Sequence, residues 1–154
     1  MEPTVCRLDL QDVIVARQVL VLQHSAYRVE ADLIGLEQIP PLHESLQDLV
    51  SAPLSWLGIV DGHGVVAALA FTARSGGVDI DRLVVGPAFA RRGYGTALVS
   101  ELGAAATITV ATGTKNLPAH RLYESLGFVN VRETSPVAGL LVTHFERKAT
   151  HGPR

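Results

Sequence analysis

From Leu54 to Val85 the chain reads as three apolar, β-branched runs separated by two glycine turns. Leu54 to Val60 and Val65 to Ala73 are joined by Asp61-Gly62-His63-Gly64, and Gly76-Gly77 leads into Val78-Asp79-Ile80-Asp81-Arg82-Leu83-Val84-Val85. Glycine and aspartate at such joints tolerate the positive φ that a tight hairpin needs, so the three runs are predicted to form an antiparallel meander. The flanks carry a different period. From Val13 to Ala26 the apolar positions Ile14, Val15, Val19, Leu22 and Ala26 recur at three- and four-residue steps, the stripe of a buried helix face, with Asp9 or Asp12 placed to cap it. Val5 to Leu10 alternates as a half-buried strand does. Ile39-Pro40-Pro41-Leu42 breaks the chain, and Glu44 to Val50 reads as a second short helix on Leu46, Leu49 and Val50.

Beyond the meander, a Gly-Tyr-Gly turn opens a helix predicted from about Thr96 to Ala106. A short strand at Thr107 to Ala111 follows, then a helix from Leu117 to Leu126 stopped by Gly127, then strands at Phe128 to Arg132 and Val137 to Arg147. This order predicts an α/β (α+β) fold, a mixed and largely antiparallel sheet of about six to seven strands with helices on both faces.

Composition narrows the function. With 154 residues, one domain is expected over 1–148, followed by a frayed tail at 149–154. The 13 Lys+Arg against 15 Asp+Glu give a net charge of −2, and no basic run exceeds Arg91-Arg92, so no nucleic-acid partner is expected. A lone cysteine, Cys6, allows no internal disulfide, and the six histidines stand at no metal-ligand spacing, so no metal is expected. Met1-Glu2-Pro3-Thr4 has neither the basic nor the apolar region of a signal peptide, and no uncharged stretch reaches the roughly 18 residues of a membrane span, so the expected location is the cytoplasm, with no membrane partner.

Two segments carry chemistry. Ala90-Arg91-Arg92-Gly93-Tyr94-Gly95-Thr96 lies between a buried strand and a helix start, where glycines let consecutive N–H groups converge, the helix dipole adds positive potential, and two arginines offer bidentate donors to a phosphate. An ordinary strand-to-helix turn with solvated arginines is the other reading. A P-loop is excluded because no Gly-Lys-Ser/Thr follows, and a Rossmann fingerprint because Leu98 stands where a third small residue is needed. The second segment runs from Asn116 to Phe128. Asn116 suits a helix N-cap, and Asn116, Ala119 or His120, and Tyr123 fall on one helix face, an amide and a phenol flanking a small gap. Alone, Tyr123 also reads as a packing residue whose hydroxyl meets water.

Taken together, Arg82-Leu83-Val84-Val85-Gly86-Pro87, then Arg-Arg-Gly-Tyr-Gly-Thr-Ala-Leu, then Asn-x-x-Ala-x-x-Leu-Tyr-x-x-x-Gly-Phe resemble the GNAT superfamily of acyl-CoA-dependent N-acetyltransferases over about Asp79 to Val131. Ala90 departs from the pattern, which usually has Gln or Arg there. The resemblance implies acetyl-CoA as cosubstrate. The backbone of Leu83, Val84 and Val85 would pair with the pantetheine arm, the loop of Arg91, Arg92, Gly93, Tyr94, Gly95 and Thr96 would wrap the pyrophosphate, Asn116 would hydrogen-bond the pantetheine, and Ala119 would leave it room. It further implies Tyr123 as the acid that protonates the leaving thiolate, and an acid on the strand, Asp81 or Asp79, as base toward the amine.

Asp79 and Asp81 are expected on the same strand face as Leu83 and Val85, leading to the groove's open end; a solvated acid or a partner of Arg82 is an equal reading. The acceptor is expected to be a small-molecule or peptide amine met by His24, Tyr27, Glu30, Glu37 and Glu44 around the first helix and the Pro40-Pro41 loop, although a solvated helix face accounts for these residues as well. A noncatalytic CoA-binding or regulatory module is the alternative function, and the sequence leaves a homodimer open.

Overall fold

The computed structural model describes residues 3–34 and 44–150. The chain runs β1 (Cys6–Arg7), α1 (Val13–Ile34), α2 (Leu46–Ser51), β2 (Ser55–Asp61), β3 (Gly64–Arg74), β4 (Gly77–Val85), a 3₁₀ turn at Pro87–Phe89, α3 (Tyr94–Glu101), β5 (Thr107–Gly113), α4 (Leu117–Ser125), β6 (Val129–Val137) and β7 (Leu140–Arg147). These form one seven-stranded sheet in the order β1-β2-β3-β4-β5-β7-β6. The fold is the predicted α/β mixed sheet, with the meander as its centre.

Helix α1 runs well past the predicted Ala26. Its buried stripe continues through Tyr27 and Ala31, four residues apart on the face already carrying Val19 and Gln23. Helix α2 begins with a reciprocal cap, the Ser45 side chain accepting from the Asp48 N–H at 3.1 Å while Asp48 accepts from the Ser45 N–H at 3.1 Å. Helix α3 is shorter than predicted and ends before Gly103, whose φ of 81° suits only glycine without strain. At the far end, Ala149 and Thr150 are held on the sheet by hydrogen bonds to Thr107 and to the Ala104 carbonyl; the rest of the expected tail lies outside the described residues.

Each sheet face has its own core. Helices α1 and α2 cover one side, where Val19, Leu22, Tyr27, Leu49, Trp56, Ala70 and Val84 pack together. Helices α3 and α4 cover the other with Leu69, Ile80, Leu98, Ile108, Tyr123 and Phe145. Leu98 and Leu69 are fully buried, and truncating such a leucine to alanine costs about 2–5 kcal/mol.

Two irregularities in β4 position everything that follows. First, Ala70 of β3 pairs with Arg82 whereas Phe71 pairs with Ile80, so Asp81 is an extra residue, a β-bulge. Second, β4 and β5 are parallel neighbours only from Gly77–Ile80 against Thr107–Val110. Beyond that point Asp81–Val85 and Ala111–Gly113 have no register with each other, and the sheet opens at its middle.

Candidate active site

The opening between β4 and β5 is a cleft of about 810 Å³. Its walls are the C-terminal half of β4, the loop into α3, the end of β5, the inner face of α4 and the C-terminal part of α1. Leu83, Val84, Val85, Arg91, Gly93, Tyr94, Gly95, Thr96, Asn116, Ala119, Tyr123, Asp81, Tyr27 and Glu30 all line it, so the fold gathers most of the residues singled out in the sequence.

At one end, the loop before α3 is built to leave donors free. Gly93 is the N-cap with φ 78°, and no side chain caps the helix. The Ala97 N–H bonds to the Gly93 carbonyl at 3.0 Å; the preceding N–H groups of the first turn have no intrahelical acceptor, as at any helix start. An uncapped helix N-terminus of this kind attracts an anion. Arg91 also sits at positive φ, 64°, a conformation that side-chain-bearing residues adopt at a cost. Gly95 lies close against α4, since a Cβ there would stand 3.1 Å from Leu122 Cδ2 and that side chain would have to shift by a few tenths of an ångström. Arg92 is directed onto the Phe89 ring, 5.2 Å from its centre, and does not line the cleft.

On the α4 wall, Asn116 works in two directions. Its side-chain oxygen accepts from the Ala119 N–H at 3.3 Å, capping α4 as predicted, while its amide lies near enough to Glu30 to favour the charged carboxylate. Burial holds the Glu30 carboxyl above the usual carboxylate range, and the nearby Asn116 amide only partly offsets it. One turn on, Tyr123 packs its ring against Phe128 at 5.3 Å and Phe145 at 5.8 Å. Burial first, and the Glu30 charge second, push its phenol well above the ordinary value, so it is a donor and never a phenolate near neutral pH.

On the α1 side the hub is Arg82. It donates to Glu44 at 2.8 Å and to Gln23 at 3.0 Å through Nη1, and to Asp81 at 2.6 Å through Nε. Its guanidinium lies 5.8 Å from the centre of the Trp56 ring. Beside it, Tyr27 is 5% exposed and its hydroxyl has no hydrogen-bond partner. Burial raises that phenol far above its ordinary value; Arg82 opposes the shift, and Glu30, Asp81 and Glu44 add to it.

The structure corrects two placements: Arg92, expected at the pyrophosphate, stacks on Phe89 outside the cleft lining, and Asp79 is displaced on β4. Asp79 does not share a face with Leu83 and Val85, because the bulge at Asp81 shifts the alternation by one residue. Asp79 instead accepts from Thr109 Oγ1 at 2.6 Å and lies outside the cleft lining. Asp81 does line the cleft, paired with Arg82. Glu44 stands behind Arg82 and His24 is exposed on α1, while Glu37 and the Ile39-Pro40-Pro41-Leu42 loop lie outside the described residues. Sequence reasoning missed Gln23 and Trp56 as partners of Arg82. The signal for Gln23 was present, since it is a polar residue on the apolar stripe between Val19 and Tyr27 and is fully buried. Among the described residues no cluster of His, Cys, Asp and Glu could hold a metal, and no helix is long and apolar enough to cross a membrane.

Comparison with known proteins points the same way as the cleft. The model of the acetyltransferase (GNAT) family matches residues 21–128. UPF0157 protein YqkA of Bacillus subtilis (strain 168) is 30% identical over 142 residues, which are 90% of this chain and 41% of that protein, so the chain spans less than half of its relative. PaiA N-acetyltransferase from Thermoplasma acidophilum, solved in complex with coenzyme A, matches with a TM-score of 0.73 at 12% identity over 97% of this chain and 100% of that one. YncA from Salmonella typhimurium, described as a putative acetyltransferase and solved with acetyl-CoA, matches with a TM-score of 0.69 at 15% identity over 100% and 98%. An acetyltransferase from Thermus thermophilus matches with a TM-score of 0.71 at 17% identity over 96% and 97%. At these identities the likeness is one of fold.

Proposed function

The chain belongs to the acetyltransferase (GNAT) family, and from that premise we propose that it moves an acetyl group from acetyl-CoA directly to a primary amine. The observation that carries this reading is the parting of β4 from β5 beyond Ile80 and Val110, beside an uncapped α3 N-terminus. A parted strand leaves backbone donors and acceptors of Leu83, Val84 and Val85 available to an amide-bearing arm, and the α3 terminus with Arg91 suits a pyrophosphate. Two similar folds, PaiA and YncA, were solved with coenzyme A and acetyl-CoA. When bound, acetyl-CoA supplies the thioester carbonyl that an amine attacks.

The chain's own residues do the rest. Leu83 to Val85 and Asn116 hold the arm, and Ala119 leaves space beside it. Arg91 and the first N–H groups of α3 hold the phosphates. Tyr123, protonated throughout the physiological range, gives its proton to the departing thiolate, whose conjugate acid has a pKa of about 8.5 if it resembles cysteine. The test is acetyl-CoA binding by calorimetry beside thiol release across a panel of amines. Binding with amine-dependent release supports transfer; binding without release under any amine supports the noncatalytic module.

A further inference from the structure

Three features meet at the α1 side of the cleft, none of which the transfer reading uses. Tyr27 presents a buried hydroxyl with no partner, and a buried polar atom left so is costly unless a ligand or water meets it. Glu30 lies one turn of α1 away and lines the same cleft, as does Asn116 on α4. The charges acting on the Tyr27 hydroxyl come from Arg82, Glu30, Asp81 and Glu44, three carboxylates against one guanidinium. That guanidinium is already taken by Glu44 at 2.8 Å and Asp81 at 2.6 Å.

Resting on the transfer reading above, we propose that Glu30 takes the proton from the incoming ammonium, that Tyr27 hydrogen-bonds the same acceptor, and that this corner selects cationic amines carrying no carboxylate beside the amine. The two acids on β4 are poorly placed for the task. Asp81 is tied to Arg82 Nε, and Asp79 faces Thr109 outside the cleft. Glu30 lines the same cleft as Tyr27 and Tyr123, and its charge acts on both phenols. Its burial makes it a better proton acceptor than a solvated carboxylate.

The groups acting on this corner are Tyr27 on α1, Asp81 and Arg82 on β4, Glu44 ahead of α2, and Asn116 and Tyr123 on α4, and Arg91 and Arg121 also line the cleft. An ammonium entering here meets carboxylates. A second carboxylate on the acceptor meets the same carboxylates and a guanidinium that is already paired.

The protons balance. The ammonium loses its first proton to the Glu30 carboxylate, which passes it to water. The free amine forms the C–N bond as the C–S bond breaks. The nitrogen's second proton replaces the one that Tyr123 gives to the thiolate, leaving an amide, a thiol and one released proton.

The experiment uses the full chain with acetyl-CoA and matched acceptors, L-alaninamide against L-alanine and 1,3-diaminopropane against 2,4-diaminobutanoate. The expected result is a kcat/KM at least about ten-fold higher for the uncarboxylated member of each pair. Glu30→Gln, which keeps the size and polarity of the side chain, is expected to lower kcat by about 100-fold and to abolish the acidic limb of the pH profile. Tyr27→Phe is expected to raise the acceptor KM and leave that of acetyl-CoA within about two-fold. Two readouts need no turnover. Carbon-13 NMR of the glutamate carboxyls should show one midpoint above the ordinary range that disappears in Glu30→Gln, and calorimetric binding of 1,3-diaminopropane to the CoA-loaded protein should weaken in both variants. Equal use of L-alanine and L-alaninamide, or a Glu30→Gln variant that keeps its kcat and acidic limb, overturns this assignment and leaves acetyl transfer standing. Wild-type protein that binds acetyl-CoA and releases no thiol with any amine overturns the transfer reading, and this assignment with it.

Discussion

Arg82 on β4 and Glu44 ahead of α2 meet at 2.8 Å, with 9% and 16% of their side chains exposed. This pair ties the wall of the cleft to the segment that enters α2, and removing the cation leaves the largely buried Glu44 without its partner. Arg82→Ala is therefore expected to destabilise the protein by roughly 3 kcal/mol. Glu44→Gln, which keeps a hydrogen-bond acceptor for Arg82 and leaves the Asp81 contact intact, is expected to cost less than half as much. Urea unfolding of the two variants decides it, and equal losses would show that Glu44 carries the whole effect.

Tyr123→Phe removes a hydroxyl and preserves the ring contacts with Phe128 and Phe145. The expected outcome is a fall in kcat of about 100-fold or more with a KM for acetyl-CoA changed by less than about three-fold, and an unchanged melting temperature. Steady-state thiol release measures the first and calorimetry the last. An unaltered kcat would remove Tyr123 from the chemistry.

Arg91 separates stability from affinity. Its φ of 64° costs an L-residue about 1–2 kcal/mol, which glycine avoids. Arg91→Gly is expected to leave stability equal or slightly higher, because glycine's greater freedom in the unfolded chain offsets part of the relief, while weakening CoA binding several-fold through loss of a phosphate donor. Calorimetric titration with CoA beside a thermal melt checks both halves.

Glu30 makes stability depend on pH in an unusual direction. Its carboxyl is raised in the folded protein, which therefore binds this proton more tightly than the unfolded chain does. Its contribution consequently falls as pH rises from the ordinary carboxylate value to the raised one, and stays at the lower level above it. Glu30→Gln lacks this loss. The variant's advantage over wild type is expected to be smallest near pH 4 and to grow through that window, as melting temperatures from about pH 4 to about pH 8 would show. A constant difference across that range would contradict the burial of this carboxylate. Greater stability with less activity is the pattern expected where a site is strained for function.

What could be read from the sequence was what depends on neighbours along the chain. The hairpin at Asp61-Gly62-His63-Gly64, the stripe of α1, the Asn116 cap and the glycine loop before α3 each rest on a few consecutive residues whose preferences agree. Helix ends were less legible. The stripe of α1 continued through Tyr27 and Ala31, an aromatic and a small residue that do not announce a helix, and α3 stopped early at a glycine with positive φ.

The face of Asp79 was illegible for a physical reason. Counting along one strand assumes that every residue has a partner opposite, and the bulge at Asp81 exists only in the register of β4 against β3. The same holds for Asn116 beside Glu30 and for Arg82 with Gln23 and Glu44, since these residues lie far apart in the chain and meet only once the sheet and its helices are assembled. Sequence by itself determined the order of elements, the glycine loop and the phenol on α4, because local conformational preference and periodicity specify them. Only the tertiary structure decided where the strands part, which carboxylate shares the cleft with Tyr123, and which is neutralised by Arg82, because burial and charge pairing are properties of groups brought together in space.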